Sequence, residues 1–414
     1  MNLLIRLLYI PLILNFCFIN YSYAQKNADS VLMHSSIDQS AYQEIRGGLA
    51  NSYLHFTRNK TAKVAFVGGS ITAMHGWREK VCQYLIERFP ETKFEFVHAG
   101  IPSTGSTPGA FRLERDVLSK GKIDLLFEEA AVNDNGQAET TNIHGMEGIV
   151  RHALVSNPYT DIILMYFVDP QKIKEYNEGK IPLTIACHDS IARHYQLPSL
   201  NLAKEVTDRI NAGEFTWDDD FKNLHPSPFG HELYFLSMRA LLENCWNLAL
   251  NQEKIEPHAI PSQMDSYSFT HGDYENIHKA NRSTGWSIDK KWSPADSIPT
   301  RKGYVDVPML ISSTPGSEIT FSFKGTAVGI CNVAGPDAGT IEYSIDGGDY
   351  HSKDLFSPWS DNLYLNQYLL FNETLSPSKH ILKIRISESK NEKSKGHTCQ
   401  IVHFLVNKVN NNMN

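Results

Sequence analysis

Ser70, Asn133 and His225 lie far apart in this chain, and each is of a type that ester hydrolysis uses. A serine hydroxyl attacks a carbonyl only when a base takes its proton, and histidine titrates in the range that lets it do so near neutrality. Ser70 stands in Gly68-Gly69-Ser70-Ile71-Thr72, directly after an apolar run. Glycines there permit a sharp turn, which would project the hydroxyl from the carboxyl end of a sheet, where open α/β folds place their ligands. His225 lies in the Pro-rich stretch Asn223-Leu224-His225-Pro226-Ser227-Pro228-Phe229-Gly230-His231, a few residues after Asp218, Asp219 and Asp220. One of these acids, Asp220 for instance, could orient the ring and stabilise the imidazolium. In Glu129-Ala130-Ala131-Val132-Asn133-Asp134 the Asn133 amide could donate to a developing oxyanion, a contact worth about 2.7–4 kcal/mol. The loop His98–Ser106 could supply backbone N–H groups to the same oxygen. Taken singly, each block has a plainer reading: a Gly-Gly turn, an Asx turn, a solvated acidic run. Together they describe one reaction.

Residues so separated meet only if regular elements carry them to one edge. From about residue 60 to 250, short apolar runs alternate with amphipathic stretches, which predicts β-α-β units and a parallel sheet covered on both faces. Val64–Val67, Phe94–Val97, Leu125–Phe127 and Ile162–Phe167 read as buried strands, with Leu197–Leu202 as a possible fifth. Trp77, Val81, Leu85 and Phe89 recur every four residues and predict a helix on the sheet. A last helix is expected from about His231 to Trp246, with Tyr234, Met238, Leu241, Leu242 and Cys245 on one face. Beyond a polar, Pro-containing segment the period becomes two: Ile319, Phe321, Phe323; Ile341, Tyr343, Ile345; Leu382, Ile384, Ile386. With Asp346-Gly347 as a hairpin signal, this predicts an all-β sandwich.

Four blocks, in order and each after a strand or before the last helix, resemble those of the SGNH (GDSL-like) hydrolase superfamily: Gly69-Ser70-Ile71-Thr72, the Gly100 loop, Val132-Asn133-Asp134 and His225-Pro226. The resemblance covers residues of about 45 to 250. It implies a three-layer α/β/α sandwich with Ser70 as nucleophile, His225 as general base and Asn133 as a side-chain oxyanion donor beside the Ser70 N–H. Two departures stand out. The family's oxyanion glycine falls at Ser103, with Gly105 nearby; a serine can donate the same N–H if its backbone permits. The family's acid, three residues before the histidine, falls at Lys222, so either Asp220 substitutes for it or Ser70 and His225 act as a dyad. Exported members with an added β-sandwich resemble carbohydrate esterases, which remove acetyl or related acyl groups from glycans.

The 414 residues, 41% hydrophobic and 21% charged, exclude a small hormone or a disordered chain. Residues 1–24 read as a signal peptide: Arg6 opens it, Leu7 to Ile19 is mostly apolar, and Ser22-Tyr23-Ala24 suits cleavage. A periplasmic or secreted location follows, with no membrane span after signal removal. Losing that segment, whose single charge is Arg6, takes the formal net charge from −7 to −8, which argues against nucleic acid as partner. The expected organisation is a hydrolase domain over 25–252, a linker over 253–265 and a β-sandwich over 266–414. Cys82, Cys187, Cys245, Cys331 and Cys399 show neither zinc spacing nor a required pairing and read mainly as small buried hydrophobes.

The leading reading is an exported serine esterase acting on acylated carbohydrate, needing no metal or organic cofactor. One rival is a glycoside hydrolase using Glu129, Asp134 or Asp220, which requires two carboxylates facing one pocket. Another is a glycan-binding protein without turnover. Trp286, Trp292 and Trp359 could stack on sugar rings, Trp77 could wall the site, and His188, His194, Arg112 and Arg115 could meet a substrate carboxylate. For all of these, packing or surface roles are the simpler expectation.

Overall fold

The computed structural model describes residues 28–250 and 252–409, so the expected signal peptide lies outside the described residues. The chain divides into two compact units: residues 1–106, 120–146 and 153–264 form the first, and 107–119, 147–152 and 265–414 the second.

The first unit is built on a six-stranded sheet of order β1-β6-β5-β4-β2-β3. Its strands are β1 (Gln43–Glu44), β2 (Thr61–Gly68), β3 (Lys93–Gly100), β4 (Leu125–Glu129), β5 (Asp161–Met165) and β6 (Ser199–Leu200). All neighbours run parallel except the two-residue edge strand β1. β4 and β5 are buried at every position, so both faces of the sheet are covered. The fifth strand shortens to Ser199–Leu200 because Asn201 leaves the ladder to cap the next helix, accepting from Lys204 N.

Among the described residues the helices include α1 (Ala50–Leu54), α2 (Ser70–Ala73), α3 (Trp77–Arg88), α4 (Ser106–Asp116), α5 (Glu139–Ser156), α6 (Pro170–Asn177), α7 (Leu183–His194), α8 (Leu202–Asn211) and α9 (Pro228–Ala249). The four-residue stripe of α3 is buried as expected, with Trp77 against Phe66 and Phe127 of the sheet. Phe89 and Trp246, T-shaped at 5.1 Å, seal α3 against α9. The last helix begins three residues earlier than its apolar face suggests. Pro228 occupies its first turn and Ser227 caps it by accepting from Gly230 N, and capping chemistry rather than periodicity sets that end.

β2 pairs with β3 on one side and β4 on the other, so the chain's winding reverses between β2 and β4. In open α/β sheets the crevice beyond the carboxyl ends of such a pair is where ligands bind. Ser70 follows β2 and Asn133 follows β4.

Among the described residues the second unit carries ten antiparallel strands; the first four are β7 (Gly272–Glu275), β8 (Asn281–Arg282), β9 (Ser287–Trp292) and β10 (Val307–Ser312), and β13 is His351–Asp354. Its organiser is β11 (Glu318–Ala334), which pairs along Glu318–Gly325 with β15 (Ser378–Ile386) and along Val328–Ala334 with β14 (Leu365–Asn372). Against β16 (Cys399–Lys408) its register breaks at Gly325/Ala327 and Cys331/Asn332, irregularities that let one strand serve both layers of a sandwich. Phe321 of β11 stacks on Phe404 of β16 at 4.0 Å inside the core. After β12 (Thr340–Ile345), Asp346 and Gly347 take φ of 54° and 76° and Gly348 N–H donates to Ile345 O, the turn that the Asp-Gly pair announces. Trp286 and Trp292 are 7% exposed and belong to the packing, while Trp359 is 74% exposed. Cys82, Cys187, Cys245, Cys331 and Cys399 are all free thiols.

Candidate active site

β2 ends at Gly68, and Gly69 turns the chain into α2, whose turn is closed by Ala73 N–H to Gly69 O and Met74 N–H to Ser70 O, both 3.0 Å. A Cβ on Gly69 would overlap Asn133 Oδ1, so only glycine lets the asparagine side chain pack beside the residue preceding Ser70. Ser70 is half-buried, and His225 Nε2 stands 2.7 Å from its Oγ across 155 residues of chain. That is hydrogen-bond reach between a nucleophile and a base. The histidine loop is braced locally: His225 N–H donates to Asn223 Oδ1 at 2.7 Å, and the Ser227 hydroxyl donates to Asp220 O.

Around the expected oxyanion position the backbone is unusual. Ser103 has φ of 65°, the left-handed region that favours glycine, so this serine takes a backbone conformation usual for glycine. The loop bearing it is tied to the end of β2 by Ile101 N–H to Gly68 O at 3.0 Å and closed by the Thr104 hydroxyl on Ile101 O at 2.7 Å. At Gly105 a Cβ would overlap Asp134 Oδ1. Asp134, fully buried, uses that oxygen to accept from Ser106 N at 2.9 Å and from Gln137 Nε2 at 2.9 Å, while its other oxygen meets His188 Nε2 at 3.1 Å. The carboxylate next to Asn133 thus binds the loop after β4 to the start of α4.

Glu129 ends β4 against the Gly69–Thr72 turn that carries Ser70. Its Oε1 accepts from Gly69 N at 2.9 Å and from the Thr72 hydroxyl at 2.8 Å. Burial, with the Asp134 charge adding to it, pushes its carboxyl up to about 7. From the other end of the turn, the buried Arg78 donates to Thr72 O at 2.7 Å. A glycosidase pair would need two carboxylates open to one pocket. Glu129 and Asp134 are both buried and committed to holding backbone and side chains of the site.

Asp220 accepts from Thr216 N at 2.8 Å and from the Thr216 hydroxyl at 3.3 Å, bracing its own turn. Lys222, at the motif's acid position, takes φ of 82° and donates its N–H to Trp217 O. Trp77 is fully buried in the core. His188 is buried against Asp134, Arg112 is buried and pairs with Asp116, Arg115 pairs with Asp116 and His403, and His194 meets Ser262 O. Sequence reasoning missed the bracing roles of Thr72, which stands in the Ser70 block, and of Arg78, which follows Trp77 at the start of α3.

No protein-family model matches the chain, and no curated protein is similar to it in sequence. Among solved structures it is similar to a two-domain esterase active on acetylated mannans, co-crystallised with mannopentaose. The TM-score is 0.73 and the identity 22%, over 90% of this chain and 98% of that one. A second structure of such an esterase gives a TM-score of 0.71 at 21% identity, over 87% and 96%. Likeness at this level of identity, spanning both units, establishes architecture: the chain has the two-domain fold of these structures, an α/β unit and an antiparallel β-sheet unit.

Proposed function

We propose that this chain is an exported serine esterase that removes acetyl or related acyl groups from polysaccharide or oligosaccharide. The observation that carries the reading is the 2.7 Å approach of His225 Nε2 to Ser70 Oγ. His225 takes the Ser70 proton as Oγ attacks the ester carbonyl, and the oxyanion lies among the N–H groups of Ser70 and Ser103 or Gly105 and the Asn133 amide. As the tetrahedral intermediate collapses, the bond from the acyl carbon to the sugar oxygen breaks and the imidazolium protonates that oxygen, releasing the sugar hydroxyl and leaving an acyl-serine. Water, deprotonated by the same imidazole, releases the carboxylic acid and restores Ser70. Asp220, five residues before His225, has its Oδ2 engaged by Thr216, so this reading rests on Ser70 and His225 as the reacting pair.

The two-domain likeness to an esterase active on acetylated mannans supports acetylated mannans as the first substrates to try. Export rests on the expected signal peptide over residues 1–24, and the sandwich is assigned a glycan-contacting role. Among the described residues no helix is long and apolar enough to cross a membrane.

The test is acetate release from acetylated oligosaccharides by wild-type and Ser70→Ala protein. The variant should lose at least about 10³-fold in rate. Its melting transition should move by no more than about 2 °C, because the hydroxyl is half-buried and adds little to the core. Unchanged acetate release would remove Ser70 as nucleophile, and release of reducing sugar without acid would replace the esterase reading with a glycosidase one.

A further inference from the structure

Lys172, in the first turn of α6, has a side chain with no exposure to solvent. A buried ammonium costs several kcal/mol unless well paired, and an apolar side chain of similar volume would fill a core more cheaply. Its partners form a closed ring. Nζ lies 2.6 Å from Asp169 Oδ2 and 2.7 Å from Asn135 Oδ1, and Asn135 Nδ2 donates back to Asp169 Oδ2 at 2.9 Å. Asp169 is itself fixed, since its Oδ1 caps α6 by accepting from Lys172 N at 3.0 Å. The ring is therefore rooted in the helix that follows β5 and reaches across to the turn that follows β4.

In that turn Asn133, Asp134 and Asn135 are consecutive. Asp134 is pinned to Ser106 N and His188, and Asn135 to Lys172 and Asp169, while Asn133 packs beside Gly69. With its two successors anchored to different helices, the Asn133 carboxamide has little freedom to drift. We propose that Lys172 is a positioning residue for the reaction, acting through Asn135 to hold the Asn133 amide where the oxyanion forms. This rests on the esterase reading and its assignment of Asn133. A misplacement of about 1 Å in such a donor can cost roughly a hundredfold in rate, which is the leverage a distant anchor can have.

The experiment is a double-mutant cycle on the full chain, following acetate release and the hydrolysis of an activated acetyl ester. Lys172→Met should lower kcat roughly tenfold to a hundredfold with KM little changed. In an Asn133→Ala background the same substitution should cost no more than about twofold further, because the group it positions is gone. Asn135→Ala, which cuts the link to the turn but leaves the Lys172–Asp169 pair, should behave like Lys172→Met and serves where the latter fails to fold. Full additivity with Asn133→Ala, or an Asn135→Ala protein with unchanged kcat, overturns the proposal while leaving the esterase reading intact. If Asn133→Ala itself keeps the full rate, the oxyanion assignment falls and the proposal with it. If Ser70→Ala keeps the rate, the esterase reading falls on separate grounds.

Discussion

Two acidic residues weighed for the site, Glu129 and Asp220, have opposite environments. Glu129 is buried under the turn, with a carboxyl raised to about 7 by desolvation. The folded chain therefore retains a proton that the unfolded chain loses near pH 4.5. The stabilisation this gives is fully present below that pH and declines until about pH 7, by up to about 3 kcal/mol in all. Glu129→Gln keeps an oxygen for Gly69 N and Thr72 but cannot ionise, so urea midpoints measured from pH 4 to 8 should show a flatter profile than wild type. An unaltered profile would mean that Glu129 keeps an ordinary carboxyl. Asp220 sits on an exposed turn and spends its hydrogen bonds on Thr216. Asp220→Asn should therefore cost less than about tenfold in kcat, against about 10³-fold or more for His225→Ala. A loss equal to that of His225→Ala would make Asp220 a full triad partner.

At the scale of elements, the site is a set of strand-to-helix turns that depend on one another. Gly69, between β2 and α2, is where this dependence is tightest, because the Asn133 side chain fills the space a Cβ would take. Gly69→Ala must push the asparagine or the turn aside, and either movement shifts Asn133 relative to Ser70, which the proposed mechanism pairs as oxyanion donor and nucleophile. Acetate release should fall by roughly a hundredfold, with a loss of stability of about 1–3 kcal/mol from overpacking. A variant with wild-type kcat would show that the turn after β4 yields without harm. Asp134 makes the complementary link, joining the same turn to the first residue of α4. The loops around the site thus hold one another through buried side chains more than through their own rigidity.

Across the whole molecule, Trp359 is the most exposed large aromatic among the described residues of the second unit. The turn carrying it is closed by Ser360 N–H to Ser357 O at 2.9 Å and by the paired hydroxyls of Ser357 and Ser360, also at 2.9 Å, with Ser360 fully buried. A rigid turn that presents an indole to solvent suits stacking on the apolar face of a pyranose ring. If the sandwich contacts glycan there, Trp359→Ala should weaken retention on acetylated polysaccharide by several-fold, roughly 1 kcal/mol, while turnover of a small activated acetyl ester stays unchanged. Equal retention by both proteins would leave Trp359 without a glycan role. Trp286 and Trp292, both in the packing, offer no comparable face.

Much of this was legible in the sequence because the signals are local. Alternation of apolar runs and amphipathic stretches is a property of neighbouring residues, so β2 to β5, α3 and the period-two strands of the sandwich could all be read before any contact was known. The short blocks around Ser70, Asn133 and His225 were readable for the same reason: glycine at a turn, asparagine after a strand and histidine before proline each carry a backbone meaning. The two-residue β6 and the start of α9 were misjudged by a few positions because caps at Asn201 and Ser227, not hydrophobic period, end or begin those elements. Contact between distant segments has no local signature. The 2.7 Å between Ser70 and His225, the glycine-like conformation of Ser103, the burial of Glu129 and the ring of Lys172, Asp169 and Asn135 all depend on which strands lie side by side. Residue types determined which chemistry was open to this chain; the tertiary fold alone decided which of them meet, because only packing brings groups a hundred residues apart within the few ångströms where hydrogen bonds and desolvation act.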